Sequence, residues 1–208
     1  MSIKFLYIIC LFSLQYTSAQ KIFQKEISSE GINTVIINDD FISEIKVLST
    51  KLKNIIIEAR VSGENEENVV IQEIFEGSKL FISAAFMPFF EAEDDKLAAH
   101  KILSVSLQIH IPENFTIKIN SKKASVFTVG NFEIIEMGLE EGNCVLQNFK
   151  GNAKLQTKSG DITVYAKEGV SAEAISKNGS VQNQLPKKRK FHIKAESING
   201  SIMLLITE

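Results

Sequence analysis

Residues 155–169 read LQTKSGDITVYAKEG, a polar turn at Lys158-Ser159-Gly160-Asp161 between two short alternating runs. The pattern returns at 174–184 as AISKNGSVQNQ and at 195–205 as AESINGSIMLL. A catalytic loop is needed once, whereas a turn that recurs at a steady interval is architectural. Aligned on the small residue of each turn, the second half of the chain gives Ala124, Gly142, Gly160, Gly179 and Gly200, spaced 18, 18, 19 and 21 residues apart. Two residues after these stand Val126, Cys144, Ile162, Val181 and Ile202, and five before them Ile119, Met137, Leu155, Ala174 and Ala195. Seven before come Ile117, Ile135, Ala153, Ala172 and Ile193, and three before come Ser121, Leu139, Thr157, Ser176 and Ser197. Odd offsets before a turn and even ones after it put all of these on one inward face of a strand–turn–strand unit.

A repeat of about 20 residues made of strands and glycine turns predicts a β-solenoid, each coil laid on the one before it. One coil cannot bury its apolar face alone, so several are needed. Gly142, Gly160, Gly179 and Gly200 are then the structural corners, where glycine supplies the positive φ expected of a sharp turn. The longest interval carries the basic run Lys187-Lys188-Arg189-Lys190 and predicts an outward bulge of one coil. Residues 113–208 form these regular coils. Residues 20–112 hold strand-like runs at uneven spacing, among them NIIIEARVSG, KLFISAAF and SVSLQIHIP. They predict wider coils or a cap on the open end, with 20–208 as one continuous domain. The class is all-β, and DDKLAAHKILS at 94–104 is the best of the weak helix candidates.

Residues 1–19 read as a signal peptide. Lys4 precedes the apolar run FLYIICLFSL, and Thr17 and Ala19 fit a small-residue cleavage site before Gln20. The run is too short for a membrane span of roughly 20 residues. Ile8 and Ile9 before Cys10 argue against a lipid anchor. Removing residues 1–19 leaves Cys144 as the single cysteine, which excludes an intrachain disulfide. It also leaves 22 basic against 25 acidic side chains, without the basic excess of a nucleic-acid binder.

With these residues in view the sequence resembles a family. A signal-like segment, an extended-strand region and the step Ile109-His110-Ile111-Pro112 lead into S-x-x-G-x-[IV]-type corners at Gly160-Asp161-Ile162, Ser176–Val181 and Ser197–Ile202. This is similar to the bacterial "putative adhesin" families of unknown function, the head GIN domain or auto-transporter adhesin type, and the Ser-Ala-Gln cleavage region resembles Bacteroidetes signals. The resemblance implies a right-handed β-helix-like fold and brings no catalytic residues.

Each candidate chemistry meets a simpler reading. His110 and His192 alternate with apolar neighbours and should face outward. With His100 they form no metal-binding spacing, and no cofactor is expected. Cys144 lies on the inward ladder, as a small buried hydrophobe does. Ser159 and Asp161 flank a corner glycine, but no G-x-S-x-G motif is present. Glu91, Glu93, Asp94 and Asp95 lack an EF-hand pattern and read as a solvated loop. Glu140 and Glu141 are the one acid pair that a polysaccharide-active β-helix enzyme could use, yet Lys158 and Ser159 replace them one coil later. The N-x-[ST] matches at Asn178 and Asn199 read as turns.

Three surfaces remain. Phe86, Met87, Phe89 and Phe90 around Pro88 form a cap or a contact patch. Lys187, Lys188, Arg189 and Lys190 form either a solvated loop or a contact for anionic glycans or lipid headgroups. The last strand, SIMLLITE, should put Ile202, Leu204 and Ile206 inward and form the open edge of the solenoid, inviting a homodimer. The expected function is a non-enzymatic binding, adhesion or scaffolding role in the cell envelope, in the periplasm or on the surface of a Gram-negative bacterium, with a glycan or envelope protein as partner. The alternatives are the β-helix enzyme and an envelope sensor or regulatory subunit.

Overall fold

The computed structural model describes residues 21–63, 65–90 and 103–207. The signal-like segment 1–19 with Cys10, the acidic run 91–95, His100 and most of the helix candidate 94–104 lie outside these residues. The strands are β1 (Lys21–Ser28), β2 (Thr34–Asn38), β3 (Ile42–Thr50), β4 (Asn54–Ser62), β5 (Val69–Glu76), β6 (Lys79–Phe86), β7 (Ser104–Pro112), β8 (Thr116–Ser121), β9 (Ser125–Leu139), β10 (Cys144–Thr157), β11 (Ile162–Ala166), β12 (Val170–Ser176), β13 (Val181–Asn183), β14 (Phe191–Ser197) and β15 (Ile202–Ile206). The protein is all-β, with one 3-10 turn among the described residues, at Glu66–Asn68. No helix among the described residues is long and apolar enough to cross a membrane.

The strands bury alternate residues, as β7 does with Val105, Leu107, Ile109 and Ile111. They pair into a continuous sheet folded over on itself. One face runs β5-β6-β2-β8, then the second halves of β9 and β10, then β14-β12. The other runs β1-β4-β7-β3, then the first halves of β9 and β10, then β11-β15-β13. Strands β9 and β10 pass from one face to the other. Their register breaks near Gly130, Asn148 and Gly151, each at positive φ. The inner surfaces of both faces meet in one core rich in Ile, Val and Leu.

The expected ladders form in the central coils. Val126, Cys144, Ile162 and Ile202 are buried in register, as are Ile117, Ile135, Ala153 and Ile193. The order of the coils departs from the chain order. Lys158 N–H donates to Leu139 O, Ile198 N–H to Thr157 O, and Lys177 N–H to Ser197 O. The coil β14–β15 therefore sits directly on β10–β11, and the earlier coil β12–β13 lies outside it. A matching step occurs in the first half, where β6 lies outside β2 and β7 outside β3, while β8 and β9 return to the inner side of β2 and β3. The uneven half thus contributes parallel coils as well as the antiparallel strands β1, β4 and β5.

This order corrects four expectations. The C-terminal strand β15 is not an edge, because β11 and β13 flank it, so the premise of a dimer through residues 202–206 fails. Val181 is 43% exposed rather than inward, since its coil is the last of the stack among the described residues. Ile206 is 50% exposed, because β13 ends at Asn183 and does not cover it. The basic run is no bulge of one coil. It belongs to the segment that leads back from β13, at the end of the stack, to β14, one coil further in.

The corner glycines are needed for a different reason from the one expected. Only Gly142 of the four has a positive φ, +100°. What all four share is close approach to the neighbouring coil. A Cβ on Gly160 would lie 1.7 Å from Gly142 O, one on Gly200 1.9 Å from Gly160 O, and one on Gly179 2.2 Å from Gly200 O. Small polar side chains close the same corners. Ser121 Oγ accepts from Ala124 N–H, Ser197 Oγ from Gly200 N–H and Ser176 Oγ from Gly179 N–H. Asp39 occupies this position in the β2–β3 coil. Its Oδ1 accepts from Phe41 and Ile42 N–H at 2.6 and 2.9 Å, and its Oδ2 reaches Ala84 N–H of β6 at 2.6 Å.

Candidate binding rim

The glycine corners line one side of the stack. The opposite rim, where the chain crosses back between faces, gathers the charge. Lys150 follows the bulge of β10 at Asn148. Lys167 stands one coil on, its N–H donating to Phe149 O. Lys187, Lys188, Arg189 and Lys190 are exposed on the returning segment. Among the described residues, none of these six cations has a carboxylate within ion-pair distance. Glu168 is exposed and lines the first two recesses described below, while two other acids of this region are engaged by neighbours. Glu196 pairs with Lys194 at 2.7 Å, and the hydrogen bonds from Lys194 and then Gln156 hold its carboxyl below the usual range. Glu173 lies 3.9 Å from His192 Nε2.

Three shallow recesses follow this rim. The first, about 340 Å³, is bounded by Asn131, Lys150, Lys190 and the ring of Phe191. Lys190 Nζ lies 5.2 Å and Lys150 Nζ 6.0 Å from that ring's centroid, within reach of a cation–π attraction. The second, about 370 Å³, lies between Lys167, Pro186, Arg189 and Ile206, and shares Glu168 and Gly169 with the first. The third, about 540 Å³, shares Ile206 and is lined by Tyr165 and the amides Gln147, Asn148, Gln182 and Gln184. Lys167 is held in place: its Nζ donates to Asn131 Oδ1 at 3.1 Å, and Asn131 Nδ2 donates to Glu113 Oε1 at 3.0 Å.

The other candidates are scattered. Phe86 packs edge-on to Phe41 at 5.8 Å and stacks on Phe90 at 5.1 Å, whereas Met87 is exposed and Phe89 stands wholly in solvent at positive φ. This cluster is far from the basic rim in the stack, at the β6 end. Glu140 and Glu141 are exposed at a corner, with Lys158 Nζ 3.9 Å from Glu140, and they line none of the three recesses. Ser159 and Asp161 are exposed corner residues, and Asp161 Oδ1 accepts from Ser201 N–H of the next coil. Cys144 is fully buried, its Sγ 3.4 Å from Met137 Sδ, and burial pushes its thiol up to about 12. His110 is half-buried against Gln108, and His192 bonds Ser171 Oγ through Nδ1. Among the described residues no three His, Cys, Asp or Glu side chains gather as metal ligands.

Sequence reading found the KKRK part of the rim and missed Lys150, Lys167, Phe191 and Tyr165. The bulge at Asn148 shifts register between Gln147 and Lys150, so the two lysines fall at different offsets from their corner glycines. An alignment on the corners cannot bring them together.

The Toastrack DUF4097 family pattern matches residues 43–206. The chain belongs to this family. A chain named "putative cell adhesion protein" from Clostridium sporogenes matches over 90% of this chain and 100% of its own, at 17% identity and a TM-score of 0.63. Two named "putative adhesin" match more loosely. One, from Parabacteroides merdae, covers 88% of this chain and 80% of its own at 12% identity and TM-score 0.45. The other, from Bacteroides fragilis, covers 90% and 99% at 11% and 0.40. The Clostridium likeness shows the fold alone, and the looser two carry no argument. No curated protein matches the chain.

Proposed function

We propose that this Toastrack protein is an exported, right-handed β-solenoid that binds or scaffolds in the cell envelope without catalysing a reaction. The observation that carries this reading is the basic rim. Six cations, none with a carboxylate partner among the described residues, stand on the stack beside three contiguous recesses. A surface of this kind gains affinity by adding many weak contacts along an extended partner. The name of the Clostridium neighbour agrees with an adhesive role, and the Ser-x-x-Gly corners support kinship with the head GIN type. The apolar run before Ala19 supports export. Right-handed winding follows the general preference of parallel crossover connections. In this reading Phe86 and Phe90, packed with Phe41, cap the sheet beside β6, while Met87 and Phe89 stay exposed.

The test uses the chain 1–208 expressed in a Gram-negative host, followed by fractionation and mass analysis. Recovery from the envelope or medium with Gln20 at the N-terminus is expected. Purified 20–208 should then be retained by isolated envelope polysaccharide without releasing new reducing ends. Cytoplasmic retention would remove the export reading, and reducing-end release would restore the enzyme.

A further inference from the structure

We infer that the rim binds an acidic polysaccharide, a chain of uronic or sulfated sugars, laid across the three recesses from Phe191 to Tyr165. The inference rests on the binding role proposed above and specifies its ligand. The recesses are contiguous, the first two meeting at Glu168-Gly169 and the last two at Ile206. Their chemistry changes along the track. Lys150 and Lys190 flank the first and Lys167 and Arg189 the second, four cations against the one carboxylate of Glu168 that both recesses share, and the third offers only neutral groups. Cations alone would suit any polyanion. The third recess adds what a sugar needs, since an amide offers both donors and an acceptor to neighbouring hydroxyls, as Gln147, Asn148, Gln182 and Gln184 can. Tyr165 in the third recess supplies an aromatic side chain against which a sugar's C–H surface can pack, while Phe191 in the first lies against Lys150 and Lys190.

Other polyanions fit less well. A lipid surface would be met by apolar side chains projecting beyond the charges. Of the large exposed apolar residues, Ile206 is the one that lines these recesses, where it forms part of a wall. A small isolated anion would need donors converging on one point. Here the cations come from three separate segments, β10, the β11–β12 connection and the β13–β14 return. Lysines act as point charges on flexible stems, which suits a repeating charge read at several places more than one bidentate clasp.

The experiment measures binding of residues 20–208 to polygalacturonate, with dextran, inorganic polyphosphate and phosphatidylglycerol vesicles as comparison probes. Binding to polygalacturonate but not dextran is expected. It should weaken about tenfold when added salt rises from about 20 mM to about 300 mM, which shortens the Debye length from roughly 20 Å to roughly 6 Å. The pair Arg189→Glu with Lys190→Glu should weaken it about tenfold as well, and Tyr165→Ala severalfold, while both variants keep the wild-type melting temperature. Polyphosphate should bind weakly and ignore Tyr165→Ala. No affinity for polygalacturonate, equal affinity for polyphosphate or the vesicles, or variants that bind like wild type would each overturn the inference. Retention on envelope polysaccharide with no affinity for polygalacturonate would overturn it while leaving the broader binding role in place.

Discussion

At the scale of single residues, contact between backbones decides more than the turn conformation does. Gly160 has no positive φ, yet a methyl there would meet Gly142 O at 1.7 Å. Neither coil can yield without breaking the ladder above or below. Gly160→Ala should therefore cost roughly 2–4 kcal/mol, read as a lower urea midpoint with unchanged slope. Gly169 is the control. Its φ of +90° strains any side chain, but open space surrounds it, so Gly169→Ala should cost only about 1 kcal/mol. Equal losses would mean that corner conformation, not close approach, selects glycine. Cys144 makes a second residue-scale prediction. Burial raises its native thiol to about 12, whereas an unfolded thiol titrates near about 8.5. Below the lower value both forms are protonated and the thiol adds no pH dependence. Above it the unfolded chain sheds the proton first, so stability falls as pH rises towards the native value, by up to about 1.4 kcal/mol per unit. Cys144→Ala lacks this slope. The gap in unfolding free energy between wild type and variant should shrink by about 2 kcal/mol from pH about 8 to about 10. Parallel pH curves would show that the native thiol is open to water.

At the scale of elements, the inward ladders were legible and their order was not. Period two and the recurring glycines identify which residues of Ile117, Ile135, Ala153 and Ile193 share a face, because strand geometry ties side-chain direction to parity. The same pattern results whichever coil lies on which, so spacing alone cannot reveal that β14–β15 lies inside β12–β13. A faint signal was present in the sequence. VQNQ after Gly179 is more polar than IMLL after Gly200, as fits a strand at the exposed end. The basic rim was half legible for a related reason: a charge run can be read directly, but lysines brought together by a bulge and a chain reversal cannot. The reversal makes a prediction for hydrogen exchange. Among the described residues β13 pairs on one side only, while β15 pairs with both β11 and β13. Amides of Val181–Asn183 should exchange well before those of Ile202–Leu204, although the latter lie close to the C-terminus. Faster exchange at 202–204 would restore the sequential stack.

At the scale of the whole molecule, a stack of strands has two ends, and each is a template for unwanted pairing. The two ends are covered differently. At the first, β1 and β5 are the outermost strands of the opposite faces and are tied together. Lys21 Nζ donates to Glu67 O and Val69 O, each at 2.9 Å, and Lys25 pairs with Glu73. At the second, the segment after β13 folds back over β12. Ala172 N–H donates to Pro186 O, Asn183 Nδ2 donates to Ala172 O, and Leu185 is buried beneath. This cover is thin, since one buried apolar side chain and a few hydrogen bonds hold it, and Ile175 beside it is 65% exposed. Leu185→Ser should release the segment and open the edge of β12, beside the edge of β13 that is already bare, while leaving the inner coils intact. Light scattering after size exclusion should then show a mass that rises with concentration for Leu185→Ser and a single constant mass for wild type, with far-ultraviolet circular dichroism unchanged. A variant that stays at the wild-type mass would mean that the edge of β12 does not pair even when bare. A wild type that already dimerises would mean that the folded-back segment does not close the end in solution.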